Sequence, residues 1–269
     1  MVTLPCTLAD WAACGIIGQV HYGQRGRALP YQRVLAQKTA QAQALIAAWW
    51  EQVAGHGYIA LSYGKDSLVT WHLAQQVAPI PAIHIDMGPL TNWPDCLALA
   101  AVLRQRFPAC LFREVRSRPY LDAILAGEVD LTGHHPGSGL LAETAFHLHQ
   151  AEGWRGFLWG LRGVAEPIRE GRHREILLRQ RGALYRRQDG LLVGMPVGAW
   201  RTEEIWAYLD GHKLPYPAMY DVDRRRIRNG PMVGMTATNL GRVRQLRQDF
   251  PAIYRLVSTV MPEVFARHA

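Results

Sequence analysis

The sequence predicts an α/β fold in which helices cover both faces of a doubly wound, five-stranded parallel sheet. Two observations carry this prediction. Strand-like segments alternate with helix-like segments from about residue 36 onward, and this alternation is typical of βαβ units. Residues 82–86 form a short, nearly all-apolar segment that suits the middle of a parallel sheet. Because ligands of such folds bind beyond the carboxyl ends of the strands, we look for a site in the residues that follow them.

The predicted elements follow one another in a regular order. An amphipathic helix, with Ile46, Trp49 and Trp50 among its residues, leads into the first strand. Pro79 and Pro81 end the helix that comes after that strand. The helices are predicted at 36–53, 68–77, 94–106 and 139–152, and the strands at 58–62, 82–86, 110–115, 155–160 and near 191–195.

We expect one α/β domain over 55–222, a helical extension over 1–54, and a helical C-terminal extension over 223–269 packed on the same domain. The 269 residues, 49% of them hydrophobic, can bury a large core. There is no run of 18 apolar residues and no basic region followed by an apolar stretch at the N-terminus. We therefore expect a soluble, cytoplasmic protein with no membrane partner.

Cysteine spacing and net charge limit the cofactors and ligands that can be expected. The four cysteines form no C-x-x-C pair, so we expect reduced thiols and no iron–sulfur cluster. The net charge of +8 predicts anionic partners, and it favours nucleotide or sulfate binding and nucleic-acid binding about equally. Seven arginines fall within 169–187, and Arg224, Arg225, Arg226 and Arg228 follow further on. They form either a solvated face or an anion funnel near the ligand edge of the sheet.

The turn after the first strand, S-Y-G-K-D-S at 62–67, is the most informative segment. Gly64 lets the backbone approach an anion, and the amides of the next three residues open a helix whose positive dipole end faces the ligand. Lys65 adds a mobile charge, and Ser67 a hydroxyl. Asp66 suits an anion site only if it holds a divalent cation or caps the helix, so it is our candidate Mg²⁺ ligand. The ordinary alternative is a strand-to-helix turn capped by Asp66 or Ser67.

A second segment, G-L-R-G-V-A-E-P-I-R at 160–169, follows the fourth predicted strand. Arg162 and Arg169 can clamp phosphate or sulfate oxygens through paired N–H donors, and Glu166 can orient one of them. A surface salt-bridge group is the ordinary alternative. In a third segment, at 195–221, we assign Trp200 and Trp206 to the core and Thr202 as the N-cap of a helix.

These segments resemble known motifs. The turn at 62–67 is similar to the S-G-G-K-D-S loop of PP-loop ATP pyrophosphatases, and closer to the S-x-G-K-D-S form of the ATP sulfurylase small subunit. Residues 160–169 look like the G-x-R-x-x-[EQ]-S-x-x-R segment of the phosphoadenosine-phosphosulfate reductase family, with Pro167 where the family usually has Ser. Asp86-Met87-Gly88 stands where that superfamily commonly has Asp-Thr-Gly, and 195–221 matches a further stretch of the family. The resemblance covers roughly 55–222.

The resemblance implies an adenine nucleotide alpha-hydrolase-like fold, ATP and Mg²⁺ as ligands, and Asp86 near the ribose or the metal. A carboxylate that merely caps a loop is the alternative for Asp86. Catalytic roles are expected for Lys65, Asp66 and Arg162. Contacts to pyrophosphate or the second substrate are expected from Arg162, Glu166 and Arg169. Nucleotide contacts are expected from Leu61, Ser62, Tyr63, Gly64, Lys65, Asp66, Ser67, Asp86, Met87, Gly160 and Arg162.

Reductases of this family keep a C-terminal catalytic cysteine, whereas this chain has no Cys after position 110. The Lys-Asp pair that ATP-cleaving members keep is intact. We therefore expect an ATP pyrophosphatase that cleaves the α–β bond and adenylylates an anionic acceptor, in sulfur metabolism or elsewhere. A sulfonucleotide reductase, an ATP-using component of nucleic-acid modification and a non-catalytic nucleotide-binding protein remain as alternatives. Nucleic acid, a second copy of the chain and a partner protein stay open as partners.

Overall fold

A computed structural model describes residues 20–22, 32–88, 91, 94–128, 138–163, 180–222, 247–248, 251–260 and 262. The strands are β1 Val20–Tyr22, β2 Gly57–Ala60, β3 Ala82–Asp86, β4 Phe112–Arg116, β5 Gly156–Trp159, β6 Leu184–Arg186, β7 Leu192–Gly194 and β8 Pro215–Pro217. The helices are α1 Gln32–Gln52, α2 Lys65–Gln75, α3 Pro94–Arg106, α4 Tyr120–Leu125, α5 Ser138–Glu152, α6 Thr202–Gly211, α7 Met219–Val222 and α8 Pro251–Val260.

The main sheet has six strands in the order β4-β3-β2-β5-β7-β6. The first five are parallel, and β6 pairs with β7 in the antiparallel direction. The predicted fold class and its five parallel strands are confirmed, but β6 was missed because it has three residues among charged neighbours. From β2 the chain moves outward to β3 and β4, then returns to β5 on the other side of β2. The reversal of strand order therefore lies between β2 and β5, where folds of this class bind ligands.

A second, two-stranded sheet pairs β1 with β8 antiparallel, with Val20 opposite Pro217. The sequence analysis did not predict it, because Pro215 and Pro217 cannot donate hydrogen bonds and argue against a strand. In the observed pairing this strand has a single partner, so it is an edge strand, where proline is tolerated.

The core joins α1 to the sheet. Ile46, Trp49 and Val53 of this region are buried in the main hydrophobic cluster, and Trp49 Nε1 donates to the Leu192 carbonyl of β7 at 3.0 Å. Residues within the predicted 1–54 extension thus belong to the core of the sheet domain. Trp200 and Trp206 lie in the same cluster, as predicted. Within the described ranges, no helix is long and apolar enough to span a membrane.

Candidate functional site

The turn between β2 and α2 lies at the point where the strand order reverses. Helix α2 begins at Lys65, three residues before the predicted start, with Gly64 as its N-cap at φ −72°. The left-handed residue is Tyr63, at φ 59°, rather than a glycine. The N-cap is Gly64, so Asp66 and Ser67 lie in the first turn of the helix rather than at its N-cap. The Ser67 hydroxyl donates instead to the Gly64 carbonyl at 2.9 Å.

Gly160, just beyond β5, packs directly against this turn. A Cβ atom at Gly160 would lie 2.6 Å from Ser67 Cα and 2.7 Å from Ser67 N. Real Cβ contacts are not this short, so only glycine allows the end of β5 to come this close to the first turn of α2. This contact brings the segment that begins at 160 to the helix N-terminus.

Three charged side chains meet there. Asp66 accepts a hydrogen bond from Arg162 Nε at 2.7 Å and one from Lys65 Nζ at 3.2 Å. Lys65 is 4% exposed and Arg162 8% exposed. Burial opposes ionisation of Asp66, but the charges of Lys65 and Arg162 and their hydrogen bonds outweigh it and hold the pKa of this carboxyl below its ordinary value. The cluster carries two positive charges against one negative charge, beside the positive end of the α2 dipole.

Arg162 is held from a second side by the segment before α6. Its Nη1 donates to the Thr202 hydroxyl at 3.1 Å and to the Trp200 carbonyl at 3.3 Å. Thr202 was predicted as an N-cap, but the N-cap of α6 is Arg201, and Thr202 is the first helical residue. Its role at Arg162 was missed, because the sequence does not show that 200–202 folds against 160–162.

The same segment is tied to α1 through Glu204. The buried carboxylate of Glu204 accepts a hydrogen bond from the Arg201 amide at 2.7 Å and one from Lys38 Nζ at 2.6 Å. Lys38 Nζ also donates to the Ala199 carbonyl at 3.1 Å. The hydrogen bonds that hold the segment beside Arg162 in place thus extend from α6 to α1.

Tyr220 of α7 contacts Lys65 twice. Its hydroxyl accepts the Lys65 backbone N–H at 3.3 Å, and its ring centroid lies 5.3 Å from Lys65 Nζ. The sequence analysis noted this tyrosine only as part of a family stretch. No local pattern in the sequence pointed from Tyr220 to Lys65.

The Tyr63 side chain extends from the turn into the core. It is fully buried, its ring centroid lies 4.7 Å from that of His84, and its hydroxyl donates to Glu114 Oε1 at 3.5 Å. Burial is the main cause of a raised Tyr63 pKa, so the phenol stays protonated. Tyr63 therefore anchors the turn to strands β3 and β4. Leu61 is also core, and its carbonyl accepts the His84 Nδ1–H at 2.9 Å.

Asp86 ends β3, the neighbour of β2. Its Oδ1 accepts the Gly88 amide at 2.9 Å, and Gly88 has φ 85°. This is the loop-capping contact of the ordinary alternative. The Met87 carbonyl accepts the Tyr120 amide at 2.7 Å. A nucleotide contact by Asp86 or Met87 stays a prediction.

Glu166, Arg169 and the arginines of 172–179 and 224–228 lie outside the described residues. The described end of the first arginine-rich segment includes Arg186, opposite Leu192 at the amino end of β7. The turn at 62–67 lies at the carboxyl end of the parallel strands. Arg186 and Arg187 therefore lie at the edge away from the turn, which corrects the expectation for this part of the segment.

Two of the four cysteines lie within the described part of the chain. Cys96 is buried in α3, and Cys110 precedes β4 at the amino edge of the sheet. Across the described ranges, no group of three or more His, Cys, Asp or Glu side chains could hold a metal ion. Asp66 could contribute one carboxylate to an ion that is bound mainly by a ligand.

The fold is an α/β fold with a six-stranded, mostly parallel sheet, and the turn at 62–67 lies where its strand order reverses. No protein-family model matches the chain. The chain is similar to phosphoadenosine 5′-phosphosulfate reductases of Xanthomonas oryzae (28% identity over 170 residues, 60% of this chain and 64% of that protein) and Xylella fastidiosa (26% identity, 62% and 68%). The match to the Xanthomonas protein spans less than two thirds of its length. The resemblance to this reductase family is confirmed, and the closer likeness to the ATP sulfurylase small subunit stays a prediction.

A solved structure shows the same fold. The phosphoadenylyl-sulfate reductase from Candida auris, in a phosphate complex, superposes with a TM-score of 0.52 and 13% sequence identity. The superposition covers 74% of this chain and 95% of that one. At this identity the likeness concerns the fold.

Proposed function

We propose that the protein is an ATP pyrophosphatase that cleaves the α–β phosphoanhydride bond of ATP and transfers the adenylyl group to an anionic acceptor. The observation that carries this proposal is the cluster of Lys65, Asp66 and Arg162 at the N-terminus of α2, where the strand order reverses. Two buried cations and a helix dipole favour a polyanion, and the single carboxylate suits a divalent cation that accompanies phosphates.

In this proposal the triphosphate lies on residues 62–67. Lys65 Nζ and Arg162 exchange their bonds with Asp66 for bonds with phosphate oxygens, which are equally good charge-assisted acceptors. Thr202 and Trp200 keep the guanidinium of Arg162 in place during the exchange. Asp66, released from its two cations, is the residue that would hold Mg²⁺, which neutralises phosphate charge when bound.

The reaction is a displacement at the α-phosphorus. An acceptor oxygen forms the new bond to phosphorus, the bond to the α–β bridging oxygen breaks, and pyrophosphate leaves with the electron pair. Lys65 and the amides of the turn stabilise the charge that develops on the transferring group. Arg162, with Glu166 and Arg169 as further candidates, binds pyrophosphate or the acceptor.

Sulfonucleotide reduction is the second candidate, because the relatives are named phosphoadenosine 5′-phosphosulfate reductases. Reduction by a thiol needs a cysteine beside the bound sulfonucleotide. The two described cysteines do not meet this need, since Cys96 is buried in α3 and Cys110 lies at the opposite edge of the sheet. Neither of these two cysteines could therefore serve as the thiol of a reductase at the turn of 62–67.

The test is release of pyrophosphate from ATP and Mg²⁺, measured with sulfate, nucleic acid or thiolated compounds as acceptors. Adenosine 3′-phosphate 5′-phosphosulfate with a thiol reductant is run in parallel. Acceptor-dependent pyrophosphate release that is lost in Lys65→Ala supports the proposal. Sulfite formation from the sulfonucleotide, with no pyrophosphate from ATP, would overturn it in favour of the reductase.

A further inference from the structure

Tyr220 is a buried residue aimed at the first turn of α2. Helix α7, on which it lies, is fixed by the Met219 amide, which donates to Asp95 Oδ2 of α3 at 2.8 Å. The Tyr220 ring packs edge-on against Trp206 of α6, with 5.6 Å between ring centroids. The position of the hydroxyl is therefore set by contacts with two helices other than α2.

The Tyr220 hydroxyl accepts the backbone N–H of Lys65, the first residue of α2. The first amides of a helix have no acceptor within the helix, and at a phosphate-binding turn they are the donors that meet the ligand. The tyrosine oxygen thus takes the place that an oxygen atom of a phosphate would take at this amide. The N···O distance of 3.3 Å is longer than the usual 2.9–3.0 Å, so the bond is weak.

A phosphate oxygen would form a stronger bond to the same amide, because charge-assisted hydrogen bonds are roughly twice as strong as neutral ones. The Lys65 side chain would also exchange Tyr220 for phosphate, since its Nζ lies over the Tyr220 ring and can move to a phosphate oxygen. Both contacts of Tyr220 with Lys65 are therefore contacts that a bound polyphosphate would replace.

We propose that Tyr220 is a positioning residue whose hydroxyl stands in for a phosphate oxygen at the Lys65 amide and yields this amide to the nucleotide. This inference rests on the proposed function, because it assumes that a polyphosphate binds at 62–67. The tyrosine keeps the amide satisfied and the turn in shape without ligand, and lowers the affinity for phosphate by the strength of the contact that must be given up.

The experiment measures binding of ATP with Mg²⁺ and of inorganic pyrophosphate to the wild type and to Tyr220→Phe. Removal of the hydroxyl leaves the buried amide without its acceptor in the free protein but not in the complex. We expect binding to become tighter by roughly fivefold to tenfold, on the order of one lost neutral hydrogen bond, while the melting temperature falls. A merely structural role would lower stability without tightening the binding.

The matched control is Tyr216→Phe. Tyr216 packs against the same Trp206, with 5.1 Å between ring centroids, but its hydroxyl donates to Asp221. This variant should bind both ligands as the wild type does. Trp206 provides a second readout, because displacement of Tyr220 by ATP changes its surroundings and should change its fluorescence.

The outcomes separate the two proposals. If wild type binds ATP and Tyr220→Phe binds it equally or more weakly, the inference about Tyr220 is overturned and the proposed function stands. If neither protein binds ATP or pyrophosphate, the proposed function fails, and this inference fails with it. Binding by Tyr220→Phe alone would support the inference in its strongest form.

Discussion

Arg162 Nε donates to Asp66 Oδ1 at 2.7 Å across 96 positions of sequence. The bond joins the turn after β2 to the segment after β5, the two strands between which the strand order reverses. Asp66 also bonds Lys65, and Arg162 also bonds Thr202, so the pair links α2 to α6. The proposed phosphate site is therefore a network in which a change at one residue is felt by the others.

The pH dependence of stability tests this network. Because the pKa of Asp66 is lowered in the folded protein, its pairing stabilises the fold above the unfolded pKa of about 3.9. That contribution is lost as the pH falls through the lowered folded pKa. Asp66→Asn should be less stable than wild type at neutral pH, and the difference should shrink below about pH 4. Urea unfolding at several pH values measures both effects.

Asp189→Asn is the control for this prediction, because Asp189 pairs with Arg187 in a more exposed position, at 2.9 Å. Pairs of this kind contribute little, so its stability should follow the wild-type pH profile within about 1 kcal/mol. A difference between wild type and Asp66→Asn that is constant down to pH 2 would contradict the ionic role of Asp66.

Gly160→Ala should damage the site through the backbone. The added methyl would lie 2.6 Å from Ser67 Cα, and backbone cannot move away as cheaply as a flexible side chain. We expect a loss of about 1–3 kcal/mol in unfolding free energy, the usual cost of overpacking, and weaker ATP binding. Gly139→Ala is the control, because a Cβ there meets nothing within 4 Å and should be neutral or slightly stabilising. Equal behaviour of the two variants would refute the close-packing argument.

The sequence predicted the strands of the parallel sheet because strand-like and helix-like segments alternate along the chain. It also predicted the turn at 62–67, whose residue types indicate their chemistry locally. Contacts made over long separations were missed. Two examples are the contact of Thr202 with Arg162 and that of Tyr220 with Lys65. Both depend on how α6 and α7 pack against the rest of the fold, and local sequence spacing does not encode this packing. The left-handed backbone of Tyr63 was also not predicted, because the burial of its aromatic ring outweighs the preference of such a position for glycine.

Lys65→Ala should weaken binding of ATP with Mg²⁺ by more than roughly 1 kcal/mol, about fivefold or more, because it removes a charge-assisted hydrogen bond. Wild type should also prefer ATP to adenosine 3′-phosphate 5′-phosphosulfate. Calorimetric titration measures both. Lys213→Ala, which removes an exposed lysine after α6, should leave the affinity unchanged. A preference of the wild type for the sulfonucleotide, with no change in ATP affinity in Lys65→Ala, would count against ATP as the substrate.

Replacement of all four cysteines should leave ATP turnover largely intact, because the proposed reaction uses no thiol. Cys96 is fully buried and is best changed to Ala, while Cys6, Cys14 and Cys110 can be changed to Ser. Pyrophosphate release per folded protein is the measurement, with circular dichroism to check folding. If a folded variant that still binds ATP no longer releases pyrophosphate, the result would favour the reductase interpretation.

Tyr63→Gly tests whether the left-handed turn depends on its anchor. Glycine would relieve the left-handed backbone, which costs roughly 1–2 kcal/mol for other residues. It would also remove a fully buried ring, and truncation of a large aromatic core residue costs about 3–5 kcal/mol. Loss of the ring outweighs relief of the backbone, so we expect a net loss of about 1–4 kcal/mol and weaker ATP binding, because the turn is no longer held against β3 and β4. Tyr63→Phe keeps the ring and loses only the long 3.5 Å bond to Glu114, so it should stay within about 1 kcal/mol of wild type in both measurements. A Tyr63→Gly protein that is as stable as wild type and binds ATP as tightly would show that the ring is not the anchor of this turn.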